Sequence, residues 1–320
     1  MPVFPRSKKP KDILAAYNEG FQGVRLDPNH LDKLLGELPH PLFGAASTYQ
    51  KGNKIYSLAG SGSNTVALLF KAVRQFDQTL FEDEAQDTGD CTSHGTRNSA
   101  DLTRAVEIFI NKQLEEWVAR GATEMIYLFR GHSGQGMSVS RGVEFINKAG
   151  GVFLRQNYKD LGIDLSEYNY KIGLNGKQGV PNIVLAEGKK HQVKTVSLIT
   201  SVEEACDALA NGYGITCGSG QGFASKRDKD GFAAPKGSWS HCMAWAAVDT
   251  SYSRPGILVL NSWGIWNTGP KRHEQPEGSF WIDLDVAEKM IKARSCWAVS
   301  NFDGFPAQRL SDYGTLSVLD

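Results

Sequence analysis

GSWSHCMAWAAVDTSYSRPGILVLNSWG, residues Gly237–Gly264, holds two apolar runs, Met243–Val248 and Gly256–Leu260, divided by a polar stretch ending in Pro255. Short apolar runs bounded by Ser, Asp, Gly and Pro read as strands. Strand, turn and strand then lay His241, at the entrance of the first run, beside Asn261, at the end of the second. A histidine oriented by an asparagine side-chain oxygen keeps the tautomer and ring angle needed to take a thiol proton, and the imidazolium that results stabilises the thiolate. Trp263 is placed to cover that hydrogen bond from water. Each motif also fits a plainer role, with His241 capping or filling a sheet and Trp263 as core.

The nucleophile is sought upstream, in QDTGDC, Gln86 to Cys91, which stands just before a helix pattern. SADLTRAVEIFINKQLEEWVARG, from Ser99, puts Leu102, Val106, Phe109, Ile110, Leu114, Trp117 and Val118 on one face, and Gly121 closes it. A thiolate near a helix N-terminus is stabilised by unpaired N–H groups and the positive end of the dipole. A lone cysteine is also one of the commonest buried residues, so the segment gains its meaning from His241 and Asn261.

Around these segments the spacing predicts helices over Ser138–Ala149, ended by Gly150-Gly151, and over Ser201–Ala210, where Ser201 and Glu204 form a capping box. Tyr213–Cys217 and Ser279–Ile282 add two strands. Helices first and strands later indicate an α+β protein with a helical side, a sheet side and a site in the cleft between them. Residues 1–55 are expected to be an extension outside the main core, with helix candidates at Asp12–Tyr17 and Asn29–Leu35 divided by the breaker Asp27-Pro28. SLAGSGSNT at 57–65 lacks a following Gly-Lys-Ser/Thr and reads as an ordinary turn into Val66–Phe70.

The 320 residues suffice for one large enzyme, and 41% hydrophobic with 22% charged residues is ordinary globular usage. Thirty-five basic residues balance thirty-five acidic ones, so no broad positive field draws in nucleic acid. No apolar run reaches membrane-spanning length and no signal-peptide pattern opens the chain, which leads us to expect no membrane partner and a cytoplasmic protein, or a virion-associated one if phage-encoded. The five cysteines, Cys91, Cys206, Cys217, Cys242 and Cys296, are odd in number and widely spaced. Free thiols in a reducing compartment are the expectation.

Taken together, Gln86, Gly89 and Cys91, then a glycine-rich stretch, His241, NSWG and the following GSFWI resemble the papain-like cysteine peptidases over roughly Ala85–Ile282. The resemblance implies a two-lobed α+β fold in a catalytic domain at 56–320, with a helical lobe at roughly 85–150 and an antiparallel sheet or barrel lobe at roughly 151–300. It implies Cys91 as nucleophile, His241 as base and Asn261 as its orienting partner. Gln86 would share the oxyanion hole with the Cys91 backbone N–H, and Gly134-Gln135-Gly136 would pair with an extended substrate. Cys242 would face the pocket for the second substrate residue, with Trp263 nearby. A peptide or protein substrate and no metal or organic cofactor follow.

The chain departs from the family pattern where Gln86 is five positions before Cys91 rather than six, where Thr92 replaces an aromatic, and where Ile265-Trp266-Asn267 follows NSWG. The cysteine customary between Gln86 and Cys91 is absent, and GDCTSHGTRNSAD looks more like the divergent bacterial and phage branch than the secreted one. Two rivals remain open. One is a structural or virion-associated binding module with residues 1–55 as a docking arm for a protein partner; the other is a cell-wall amidase or acyl transferase. His94, at C-x-x-H spacing from Cys91, admits a metal reading that lacks a second ligand pair. Because residues 1–85 contain no segment matching the family's inhibitory pattern, the extension is expected to be an ordered surface element and not an inhibitory pro-segment.

Overall fold

The computed structural model describes residues 23–45, 58–77, 84–112 and 116–308. Its elements are α1 (Pro28–Glu37), β1 (Val66–Leu68), α2 (Leu69–Arg74), α3 (Cys91–Asn111), α4 (Glu124–Leu128), α5 (Val139–Glu144), β2 (Asn157–Tyr158), β3 (Ile163–Asp164), α6 (Asn182–Gly188), β4 (Thr195–Leu198), α7 (Val202–Ala210), β5 (Ile215–Arg227), β6 (Ala233–Asp249), β7 (Gly256–Leu260), β8 (Phe280–Asp283), α8 (Leu284–Ile291) and β9 (Cys296–Ser300). The helix candidate at 12–17 lies outside the described residues.

The long helix α3 begins at Cys91 and stops at Asn111, earlier at both ends than the apolar stripe suggests. Lys112 turns into the left-handed region at φ 56°, which ends the helix, and Ile110 and Val118 are exposed. Leu114 lies outside the described residues. The first half of α3 is polar yet buried, and two of its charged side chains find partners across the chain. Arg97 Nη1 donates to Gly121 O at 2.9 Å, and the Asp101 carboxylate accepts from Gly121 N at 2.9 Å. Buried polar side chains held in this way leave no apolar periodicity in the sequence.

The 139–149 helix forms as expected, with α5 passing into a π-helical turn over Phe145–Ala149 before Gly150. At α7, Ser201 Oγ accepts from Glu204 N at 3.2 Å, while the Glu204 carboxylate accepts from Thr200 N at 2.7 Å, so the second half of the capping box is displaced by one residue. Asp27-Pro28 starts α1: Asp27 accepts from His30 N and Pro28 occupies the first turn.

The main sheet is antiparallel in the order β4-β9-β5-β6-β7-β8, with β1 paired to the far end of β6. The β5–β6 register slips between Ser219 and Gln221, beside His241, and such irregularities re-aim side chains near sites. One apolar cluster lies within the sheet side with α2, α7 and α8. The other joins the helices, Val184 and Val193 to residues of β4, β6 and β9 such as Leu198, Cys242 and Trp297. This is the α+β, two-lobed arrangement expected from the sequence.

Residues 23–45 are not outside the core. Phe43 is fully buried against Phe305, with ring centroids 4.8 Å apart, and Leu34 and Leu38 join the helical cluster. The apolar faces of this segment need cover that only the rest of the chain supplies. The free-thiol expectation also fails at two positions, because Cys217 and Cys296, directly opposite in β5 and β9, are joined as a disulfide. Among the described residues no helix is long and apolar enough to cross a membrane.

Candidate active site

Cys91 opens α3 and is fully buried, with the backbone N–H groups of Thr92 and Cys242 acting in favour of its thiolate. Cys242 follows His241 on β6, so the helix start and the histidine strand meet at this sulfur. His241 Nε2 and Asn261 Oδ1 are 2.8 Å apart. With the amide oxygen accepting from Nε2–H, Nδ1 is left as the basic nitrogen. The Trp263 ring stacks on the imidazole at 4.4 Å between centroids and 29° between planes. Behind it Trp239 and Trp266 pack against Trp263 at 4.8 and 5.3 Å, closing this side of the histidine to water.

Gln86 joins the two halves of the site. Its Oε1 accepts from Ser262 Oγ at 2.6 Å, its backbone N donates to Ser262 O, and its Nε2 donates to Thr88 O at 2.8 Å. An amide nitrogen has two protons, so one remains beyond the Thr88 bond. Gly89 is pressed against the Gly134-Gln135-Gly136 turn: a Cβ there would lie 2.8 Å from Gln135 Oε1 and 3.1 Å from Gly136 N. Glycine at 89 is what allows the nucleophile loop to meet that turn. Cys242 does not face an open pocket. Its Sγ lies 3.3 Å from Thr216 Oγ1 and packs over Gly95, inside the interface of helix and sheet.

Other groups at the site carried no clear sequence signal. Tyr168 donates to Asp90 Oδ2 at 2.7 Å and accepts from Asp87 N at 3.0 Å, which braces the loop before Cys91 from a position 78 residues away. His94 is buried one turn into α3, with Nε2 3.4 Å from Asp90 Oδ2 and Nδ1 3.8 Å from Glu84 Oε1. Among the described residues no group of three His, Cys, Asp or Glu side chains is arranged to hold a metal.

The N-terminal segment runs through the cleft. Val24 N donates to Ser240 O at 3.1 Å, Arg25 N to Met137 O at 3.1 Å, and Met137 N to Gly23 O at 3.0 Å. Ser240 Oγ donates to Val24 O at 2.6 Å, and Arg25 Nε to Gln135 O at 2.7 Å. At Gly23 an added Cβ would fall 2.1 Å from Cys91 Sγ. The expectation of a surface element is thereby corrected for residues 23–45, and Met137 and Ser240, which the sequence did not mark, are the backbone partners of the bound strand.

Electrostatics follow from this cover. Burial pushes the Cys91 thiol well above the ordinary cysteine range, with the Cys242 thiol and the Asp90 carboxylate adding to the effect. Burial likewise pulls His241 down to about 4, against the Asn261 hydrogen bond that favours its charged form. Both groups are neutral here, so the helix-terminus argument for a ready thiolate is outweighed by desolvation.

No family model matches the sequence, and no curated protein does. Among solved structures, digestive procathepsin L 3 of Tenebrio molitor larval midgut is similar over 91% of this chain and 90% of its own, at 11% identity and a TM-score of 0.50. The chain has the papain-like fold. Procathepsin B S9 from Trypanosoma congolense, at 9% identity over 91% of this chain and 88% of its own, gives a TM-score of 0.49. Xylellain, a cysteine protease from Xylella fastidiosa, gives 0.48 at 15% identity, over 74% and 86%. In this papain-like fold Cys91 starts the helix that lies against the sheet, and β6 and β7 present His241 and Asn261.

Proposed function

We propose that the chain is a cysteine peptidase held latent by its own N-terminal segment. The observation that carries this reading is the extended backbone of Gly23–Arg25, hydrogen-bonded to Met137 on one wall and Ser240 on the other while passing the Cys91 sulfur. A cleft that holds one peptide main chain there can hold another. When the segment leaves, water reaches Cys91 and His241 and removes the desolvation that keeps both neutral.

In the proposed reaction His241 Nδ1 takes the Cys91 proton and the thiolate attacks the substrate carbonyl carbon. The tetrahedral oxyanion is met by the Cys91 backbone N–H and the remaining Gln86 Nε2 proton. Collapse expels the amine, which takes its proton from the imidazolium, and leaves a thioester. Water, deprotonated by His241, attacks that thioester to release the acid and restore the thiol.

Mass-spectrometric mapping of limiting iodoacetamide at neutral pH tests the latent nucleophile. Cys206 and Cys242 are pushed up to about 12 by burial, so neither competes as a thiolate. In the intact chain Cys91 should label slowly. In Gly23→Leu, whose side chain cannot fit over the sulfur, Cys91 should become the fastest-labelled of the three free cysteines. Faster labelling of Cys206 or Cys242 in that variant contradicts the assignment.

A further inference from the structure

The turn that holds a peptide backbone has little stiffness of its own. Gly131, Gly134 and Gly136 fall within six residues, and Gly131 and Gly136 take φ of 81° and 80°. Such a segment samples many conformations unless outside contacts fix it. Two bonds do so, one on either side of Gln135. Arg130 Nε donates to Gly134 O at 2.9 Å, and the Tyr127 hydroxyl accepts from Gly136 N at 3.3 Å.

Arg130 is 2% exposed, and each of its acceptors is a neutral backbone carbonyl. Nη1 donates to Tyr127 O at 2.9 Å and to Gly173 O at 2.5 Å, and Nη2 to Leu174 O at 2.5 Å. The guanidinium lies 4.0 Å from the centroid of the Tyr127 ring. A planar five-donor fork can tie several chain segments at once, whereas an ammonium cannot reproduce that geometry. One side chain therefore ties α4, the 173–174 loop and the substrate turn together, and Gly89 of the loop before Cys91 packs directly on that turn.

We propose that Arg130 is a positioning residue for substrate, holding Gly134–Met137 at the spacing from Cys91 that an extended peptide requires. The proposal rests on the peptidase reading and deepens it.

The test compares two alkylating agents on the full-length Gly23→Leu chain. Iodoacetamide needs only the Cys91 thiolate, while a peptidyl fluoromethyl ketone must also pair its backbone with the turn. In Gly23→Leu with Arg130→Lys, the ketone should react about tenfold more slowly and iodoacetamide within about twofold of the parent, the size expected for one or two lost hydrogen bonds. Tyr127→Phe removes only the Gly136 bond and guards against a folding failure at Arg130. It should show the same selective loss, a few-fold in size. Equal slowing of both reagents, or no slowing of either, overturns the positioning role. If the Gly23→Leu parent itself is labelled at Cys91 by neither reagent, the peptidase reading falls, and the substrate role of the turn falls with it.

Discussion

Gln86 sits where the loop before Cys91 meets the turn after Asn261, tied to Ser262 by side chain and backbone. A donor to the developing oxyanion matters more in the transition state than in the ground state, so its loss falls on the chemical step. Gln86→Ala should lower kcat by ~10²–10³ while KM stays within a few-fold, as for other oxyanion donors. Steady-state kinetics on the Gly23→Leu background measures this, and a near-normal kcat in a folded variant removes Gln86 from the oxyanion role. His241 makes a pH prediction. Its folded value of about 4 lies below the ordinary 6.5, so its contribution is intact above pH 6.5 and is lost as pH falls toward 4, where only the unfolded chain binds the proton. The loss should approach ~3 kcal/mol in the intact chain, read from denaturant midpoints at pH 7, 5 and 4. His241→Gln should flatten that dependence, and equal pH slopes in the two chains would contradict it. At this scale the placement of His241 beside Asn261 and Trp263 was legible, because each is a chemically distinctive side chain in a recognisable local setting. Gly23 was not, since its meaning lies in a sulfur 68 residues away.

Elements were legible where one face is apolar and the other is not. Gly256–Leu260 forms β7 over the expected residues, and the 139–149 helix closes at Gly150 as its glycines suggest. The start of α3 escaped the pattern because Cys91–Thr103 is buried on all sides although most of its residues are polar. Its charge cluster is a case in point. Burial pushes the Glu84 carboxyl up, yet Arg97 at 3.1 Å, Arg155 at 2.9 Å and Arg120 at 3.9 Å hold it well below the usual carboxylate range. Glu84→Gln leaves those buried guanidinium groups undercompensated and should cost ~3–5 kcal/mol of stability in urea unfolding. A loss under ~1 kcal/mol would mean that the cluster is solvated and contributes as little as a surface pair.

For the whole molecule, one chain supplies both the cleft and its occupant. Phe43 anchors the arm in the sheet-side core, α1 lies on α5 through His30 bonded to Ser140 at 2.8 Å and Glu144 at 2.9 Å, and Gly23–Arg25 spans the cleft. Composition and motif order indicated two lobes and a cleft. They could not show that the cleft is filled, because strand pairing with Met137 and Ser240 uses backbone groups that every residue has. The central claim is most directly tested by peptide-library cleavage with three full-length chains: the unaltered protein, Gly23→Leu, and Gly23→Leu with Cys91→Ala. Cleavage that is weak in the first, strong in the second and absent in the third is the predicted result. Equal cleavage by the second and third chains, or none by any of them, would contradict it.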